Sequence, residues 1–172
     1  MTVSIYCKSM DMDEWFNYGN TFWITILNEF VKASLLFLQN YKDTITGDGD
    51  EYKGDITAEI EKILHDFTNE KQKNLYDFNN DERQNLHHFI ELISSNDGFI
   101  NTLIEIGIGG IYSLLYKDPY GGKYSVGNSV DILEAIENIS PYIKDKDVVN
   151  ALPDLLRVFR YSVENTESVI KS

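Results

Sequence analysis

The sequence predicts a mainly α protein: one compact domain over residues 1–172, a bundle of about six helices with room for a small β-ribbon at its N-terminal end. Three observations predict it. Apolar residues recur three and four positions apart in segment after segment, the spacing of one helix face. Proline, which breaks helices, occurs only 3 times in 172 residues. Hydrophobic residues make up 42% and charged ones 25%, the balance of a globular domain. A chain of this length buries about 70% of the surface it exposes when unfolded, so its core needs neither disulfide nor structural metal. A single cysteine excludes an internal disulfide framework.

Residues 2–7 alternate, with Val3, Ile5 and Cys7 on one side and Thr2, Ser4 and Tyr6 on the other, the pattern of a half-buried strand. Its expected partner is 122–126, GKYSV. Residues 10–19 read as irregular. A helix then spans about 20–41, with Asn20 as N-cap and a wide apolar face through Trp23, Leu27, Phe30 and Leu38. Residues 42–56 read as a loop with Gly47, Gly49 and Gly54. Residues 56–67 form an amphipathic helix capped by Asp55, and 81–93 another capped by Asp81, with Gln84 at the capping-box position. Between them, 69–80 is polar. Residues 99–116 read as one core helix kinked at Gly109-Gly110. Turn residues crowd 117–128. Ser129 opens a helix that Pro141 closes. The last helix starts at Asp147 or Leu152, with Pro153 acceptable only in its first turn, and the tail from Glu164 is expected to fray. Trp23, Phe30, Ile60, Leu64, Phe89, Ile90, Ile104, Ile136, Leu155 and Phe159 are the expected core.

Residues 20–39 and 99–116 are apolar enough to be weighed as membrane spans. The first carries Glu29 and Lys32, and the second carries Glu105 and three glycines. A charge at mid-bilayer costs at least ~2.5 kcal/mol, so both are expected to be core helices and no membrane partner is expected. The N-terminal residues lack the charged and apolar regions of a secretory signal, which predicts a cytoplasmic protein.

The constellations that carry chemistry are missing from the sequence. His65, His87 and His88 form no HExxH pair, and neighbours on a helix point about 100° apart. Residues 48–59 match an EF-hand loop at positions 1, 3 and 12 but place Tyr52 and Lys53 where an oxygen ligand and a glycine are needed. Cys7 lies in an apolar strand with nothing to lower its pKa. Gly107-Ile108-Gly109-Gly110 lacks the GK[ST] end of a phosphate loop and suits close helix packing. Lys and Arg never cluster, and a net charge of −13 opposes nucleic-acid binding. No catalytic residue, metal or cofactor is expected.

The distinctive feature is a run of acids. Asp43, Asp48, Asp50, Glu51, Asp55, Glu59 and Glu61 stand against Lys53 alone, a net −6 within 19 residues. Tyr52 sits inside it, an aromatic anchor among charges. Asp48, Asp50, Glu51, Tyr52, Asp55 and Glu59 are therefore the expected partner-binding residues, with Asp77, Asp81 and Glu82 as an extension and Tyr116, Tyr120 and Tyr124 as an alternative aromatic anchor. In overall profile, a single acidic domain with one cysteine, no signal and no active-site motif, the chain resembles bacterial toxin-immunity proteins of the contact-dependent growth inhibition type. The resemblance implies a monomer that binds and neutralises a basic toxin domain, a nuclease whose phosphate-binding site an acidic surface can occupy. The rival reading is a phage or mobile-element accessory protein that blocks a nucleic-acid-binding host factor by charge mimicry.

Overall fold

The computed structural model describes residues 1–45, 51–70, 82–117 and 122–172. The chain there is mainly α, with seven α-helices and a four-stranded antiparallel sheet among the described residues.

The sheet is drawn from both ends of the sequence. β1 (Thr2–Tyr6) lies between β2 (Phe16–Gly19) and a strand near the C-terminus, β4 (Val169–Lys171); β3 (Lys123–Tyr124) adds to the far side of β4. The alternation of β1 is the predicted one: Val3 and Ile5 are buried and face Tyr18 and Phe16 across the β1–β2 pair. Residues 122–126 reach the sheet but do not pair with β1. Lys123 and Tyr124 pair with Ile170 and Val169, and β4 occupies the place beside β1 through Ile5–Lys171 and Tyr6–Ile170. The tail beyond Glu164 is thus held rather than frayed. Val169 is fully buried, and Ser4 and Ser172 exchange both backbone hydrogen bonds, at 3.0 and 2.9 Å. Residues 10–19 are also more ordered than expected, since a 3-10 turn (Met12–Glu14) leads into β2.

α1 (Asn20–Ile45) is the hub, packing on the sheet and on most of the other helices. Trp23, Leu27, Phe30, Val31, Leu35 and Leu38 are buried along it. By length and composition alone α1 could cross a membrane, yet 56% of its most apolar window is buried inside this fold, as a central helix requires. α2 (Glu51–Glu70) buries Ile56, Ile60, Ile63, Leu64 and Phe67. It begins before Asp55, so Asp55 is an exposed residue one turn inside it and not its cap. α3 (Glu82–Ser94) buries Leu86, Phe89 and Ile93. The expected cap Asp81, the polar segment 71–80, the loop glycines Gly47 and Gly49, and Tyr120 lie outside the described residues.

The expected single helix over 99–116 is two helices, α4 (Asp97–Glu105) and α5 (Gly109–Lys117). Gly107 ends α4. Its φ is +86°, a left-handed conformation that glycine adopts without a Cβ penalty. Its N–H donates to Ile104 O at 3.2 Å, and the N–H of Ile108 donates to Leu103 O at 2.9 Å. That is a Schellman cap, completed by the burial of Ile108 and Leu103. Breaking the helix there re-aims the apolar stripe. Leu103, Ile106 and Ile108 are buried, whereas Ile104, expected in the core, is 61% exposed. Ile90 is only half-buried; the other eight expected core residues are buried.

α6 (Val126–Ile139) starts earlier than Ser129 because Ser125 and Asn128 form a capping box, each side chain accepting the other's backbone N–H at 3.0 Å. Pro141 follows in a 3-10 turn (Ser140–Tyr142). α7 (Lys146–Asn165) is capped by Asp145, whose Oδ1 accepts from Asp147 and Val148 at 2.9 and 3.1 Å. Pro153 therefore sits two turns inside the helix, not in its first turn. It lies on the exposed side. The buried stripe Val148, Ala151, Leu155, Val158 and Phe159 keeps the helix continuous past it.

Candidate functional site

The expected partner-binding residues do not share one environment. Asp48 and Asp50 lie outside the described residues. Glu51 and Tyr52 belong to the first turn of α2. Asp55 and Glu59 follow one turn apart on that helix, Asp55 exposed and Glu59 half-buried. Glu59 turns partly inward. Its Oε2 is buried and has no hydrogen-bond partner among the described residues, and a Cβ placed on Gly98, near the start of α4, would stand 3.3 Å from it. A carboxylate there faces the positive end of the α4 dipole. The adjacent Asn96 side chain caps α4 by accepting from the Gly98 N–H at 2.8 Å. Glu59 thus helps to join α2 to α4, beyond any outward role. Glu61 is exposed, and Lys62 lays its Nζ 5.8 Å from the Phe99 ring.

Acidity is not confined to 43–61. α6 exposes Asp131, Glu134 and Glu137 at every third residue. The first two line a cleft of about 170 Å³ at the α4–α5 break. Gly107, Gly109 and Gly110 line it together with Ile100, Ile104 and Tyr112. Gly110 is there for close packing, as its sequence context suggests: a Cβ would lie 2.1 Å from the Asp131 carbonyl oxygen. The side chain of Asn138 secures the turn by donating to Gly107 O at 2.9 Å. Neither Asp131 nor Glu134 stands out in the sequence, since each is one of many acids. The available signal was Gly107 followed by apolar Ile108, a helix stop that leaves the preceding Ile104 without a partner.

The alternative aromatic anchor is split. Tyr124 is fully buried and donates to Leu114 O at 3.2 Å. Tyr116 is 52% exposed and stacks on Tyr112, with 5.7 Å between ring centroids.

Among the described residues no group of three or more His, Cys, Asp or Glu is placed to hold a metal. His87 is exposed while His88 is buried, its Nε2 donating to Phe67 O at 3.0 Å. Cys7 is buried, and burial, reinforced by the charge of Glu167, pushes its thiol up to about 11. It is no nucleophile at neutral pH. Among the described residues, Glu29 is a carboxylate raised above its ordinary value, by burial first; Lys32 opposes the shift, Asp145 raises it through its charge and lowers it through its backbone hydrogen bond, and Glu82 adds to it. It lies on α1, away from the acidic run. No protein family, curated protein or solved structure matches the chain.

Proposed function

We propose that the chain is an immunity protein, which binds a basic toxin domain, a nuclease of a contact-dependent growth inhibition system, and neutralises it by presenting carboxylates where the nuclease holds phosphate. One observation carries the reading: a net charge of −13 on a helical domain that exposes acids on more than one element. Such a field steers a basic partner and raises its association rate. Asp48, Asp50, Glu51 and Asp55 supply the charge, Tyr52 the anchor, and Glu59 both a charge and the tie to α4.

The test is co-expression with the toxin domain encoded beside this chain, followed by binding kinetics at two salt concentrations. The expected result is rescue of growth and an association rate that falls with salt. Charge reversal by Asp48→Lys with Asp50→Lys slows association and flattens its salt dependence, and Tyr52→Ala speeds dissociation. Absence of both rescue and complex refutes the reading.

Charge mimicry of duplex DNA is favoured by a different observation. Asp131, Glu134 and Glu137 repeat about every 4.5 Å along α6, far in sequence from 43–61. Displacement of the bound partner by duplex DNA, with no protection against a toxin, would select that alternative.

A further inference from the structure

The cleft between α4, α5 and α6 has both a size and a sign. Its volume of about 170 Å³ falls below the roughly 300 Å³ at which small-molecule and cofactor pockets begin, and suits one long side chain. The end of α4 and the start of α5 meet at it, so helix dipoles of opposite sign offset each other there. Side chains then decide the field. The charged residues lining the cleft, Asp131 and Glu134, are both acidic, and neither has an ion-pair partner among the described residues. Glu134 reaches over Gly107: a Cβ there would lie 2.7 Å from its Oε1. The lining is otherwise largely apolar, through Ile100, Ile104 and Tyr112, and Ile104 is 61% exposed. Tyr112 is held there by a 2.7 Å hydrogen bond between its hydroxyl and Ser94 Oγ.

Apolar side chains and two carboxylates lining one cleft fit a side chain with an aliphatic stem and a cationic head. Arginine fits better than lysine, because a planar guanidinium forks between two carboxylates, whereas an ammonium is a point charge. We propose that this cleft receives one arginine of the basic protein partner, its stem on Ile104 and Tyr112 and its guanidinium between Asp131 and Glu134. This rests on the reading of the partner as a basic protein, and adds a docking point separate from residues 48–59.

N-acetyl-arginine amide is the probe, titrated into the isotope-labelled chain and followed by amide chemical shifts. Saturable shifts are expected at Ile104, Gly107 and Gly109, with half-saturation at about 1–10 mM, the range for a ligand of this size. The lysine analogue should bind at least threefold more weakly. Asp131→Asn combined with Glu134→Gln should weaken the arginine probe at least tenfold, and Ile104→Ala should also weaken it. All three side chains are exposed, so the variants should melt as the parent does. Absence of saturable shifts, an equal response in the double variant, or a response to inorganic phosphate overturns the proposal. So do shifts that grow with protein concentration alone, which would assign the face to a second copy of the chain. The toxin complex separates this inference from the function. If the complex forms and the double variant binds it as tightly as the parent, the cleft is not the docking point and the inhibitor reading stands. If the chain takes arginine amide but forms no complex, the cleft is supported and the partner reading falls.

Discussion

Gly110→Ala tests the packing of α5 on α6 at its tightest point. The added Cβ would lie 2.1 Å from Asp131 O, 2.4 Å from Asp131 C and 2.6 Å from Ile132 N. All three are backbone atoms, so no rotamer change relieves them. A normal contact requires the two helices to part by about 1 Å, and a gap of that size forfeits roughly a quarter to a half of the dispersion energy along the contact. Overpacking of this kind costs about 1–3 kcal/mol. The absence of a soft neighbour puts this case near the upper end, and alanine's better helix propensity returns less than about 1 kcal/mol. A net loss of about 2 kcal/mol lowers Tm by roughly 4–8 °C in a chain of this size. Urea denaturation followed by circular dichroism measures it. Gly127→Ala is the matched control: the nearest atom to its Cβ is Ser125 Oγ at 3.7 Å, so it should be neutral or stabilising by up to about 1 kcal/mol. If Gly110→Ala unfolds within about 0.5 kcal/mol of the parent, the ordinary scatter of surface substitutions, the α5–α6 contact is not as close as described.

Thr166 ends α7 at φ 52°, ψ 50°, a region that costs an L-residue roughly 1–2 kcal/mol. Thr166→Gly should therefore raise stability by about 0.5–1 kcal/mol after the added entropy of the unfolded chain, and a lower Tm would contradict this. Glu29 has its folded pKa above its unfolded one. Its contribution to stability is therefore present below the unfolded value, about pH 4, and is lost as pH rises through the folded one. Glu29→Gln should accordingly be more stable than the parent at pH 7, with the advantage vanishing toward pH 4. An advantage independent of pH would argue against the sign. Cys7, buried with its thiol pushed up to about 11, should resist iodoacetamide at pH 8 until the protein unfolds; rapid alkylation of the native protein would contradict its burial.

Periodicity carried most of the helical architecture, because each long helix has a stripe wide enough to read. What it missed is short or discontinuous. β4 is three residues, too few for an alternation, and its place is set by Val169 entering a core built by distant elements. The α4–α5 break hinges on the conformation of one residue, Gly107, which the apolar run around it conceals. Pro153 argued against a long α7, but seven residues that bury along one face outweigh one lost backbone hydrogen bond. For the site, the sequence shows where charge is dense along the chain and not which charges share a face. Glu59 lies in the dense run yet turns toward α4, whereas Asp131 and Glu134, unremarkable in sequence, meet at a cleft.

The β1–β4 pair also has a mechanical meaning. The strands are antiparallel, and Ser4–Ser172 is the first contact, followed by Ile5–Lys171 and Tyr6–Ile170. A load applied at Met1 and Ser172 runs perpendicular to the strands, along the hydrogen bonds, and falls on one pair at a time. The clasp unzips instead of shearing. β1 is one of the two interior strands, so withdrawing it bares the edges of β2 and β4 together. Force delivered through these residues loads the β1–β4 pairs one after another, while the four pairs between β1 and β2 hold β1 from its other side.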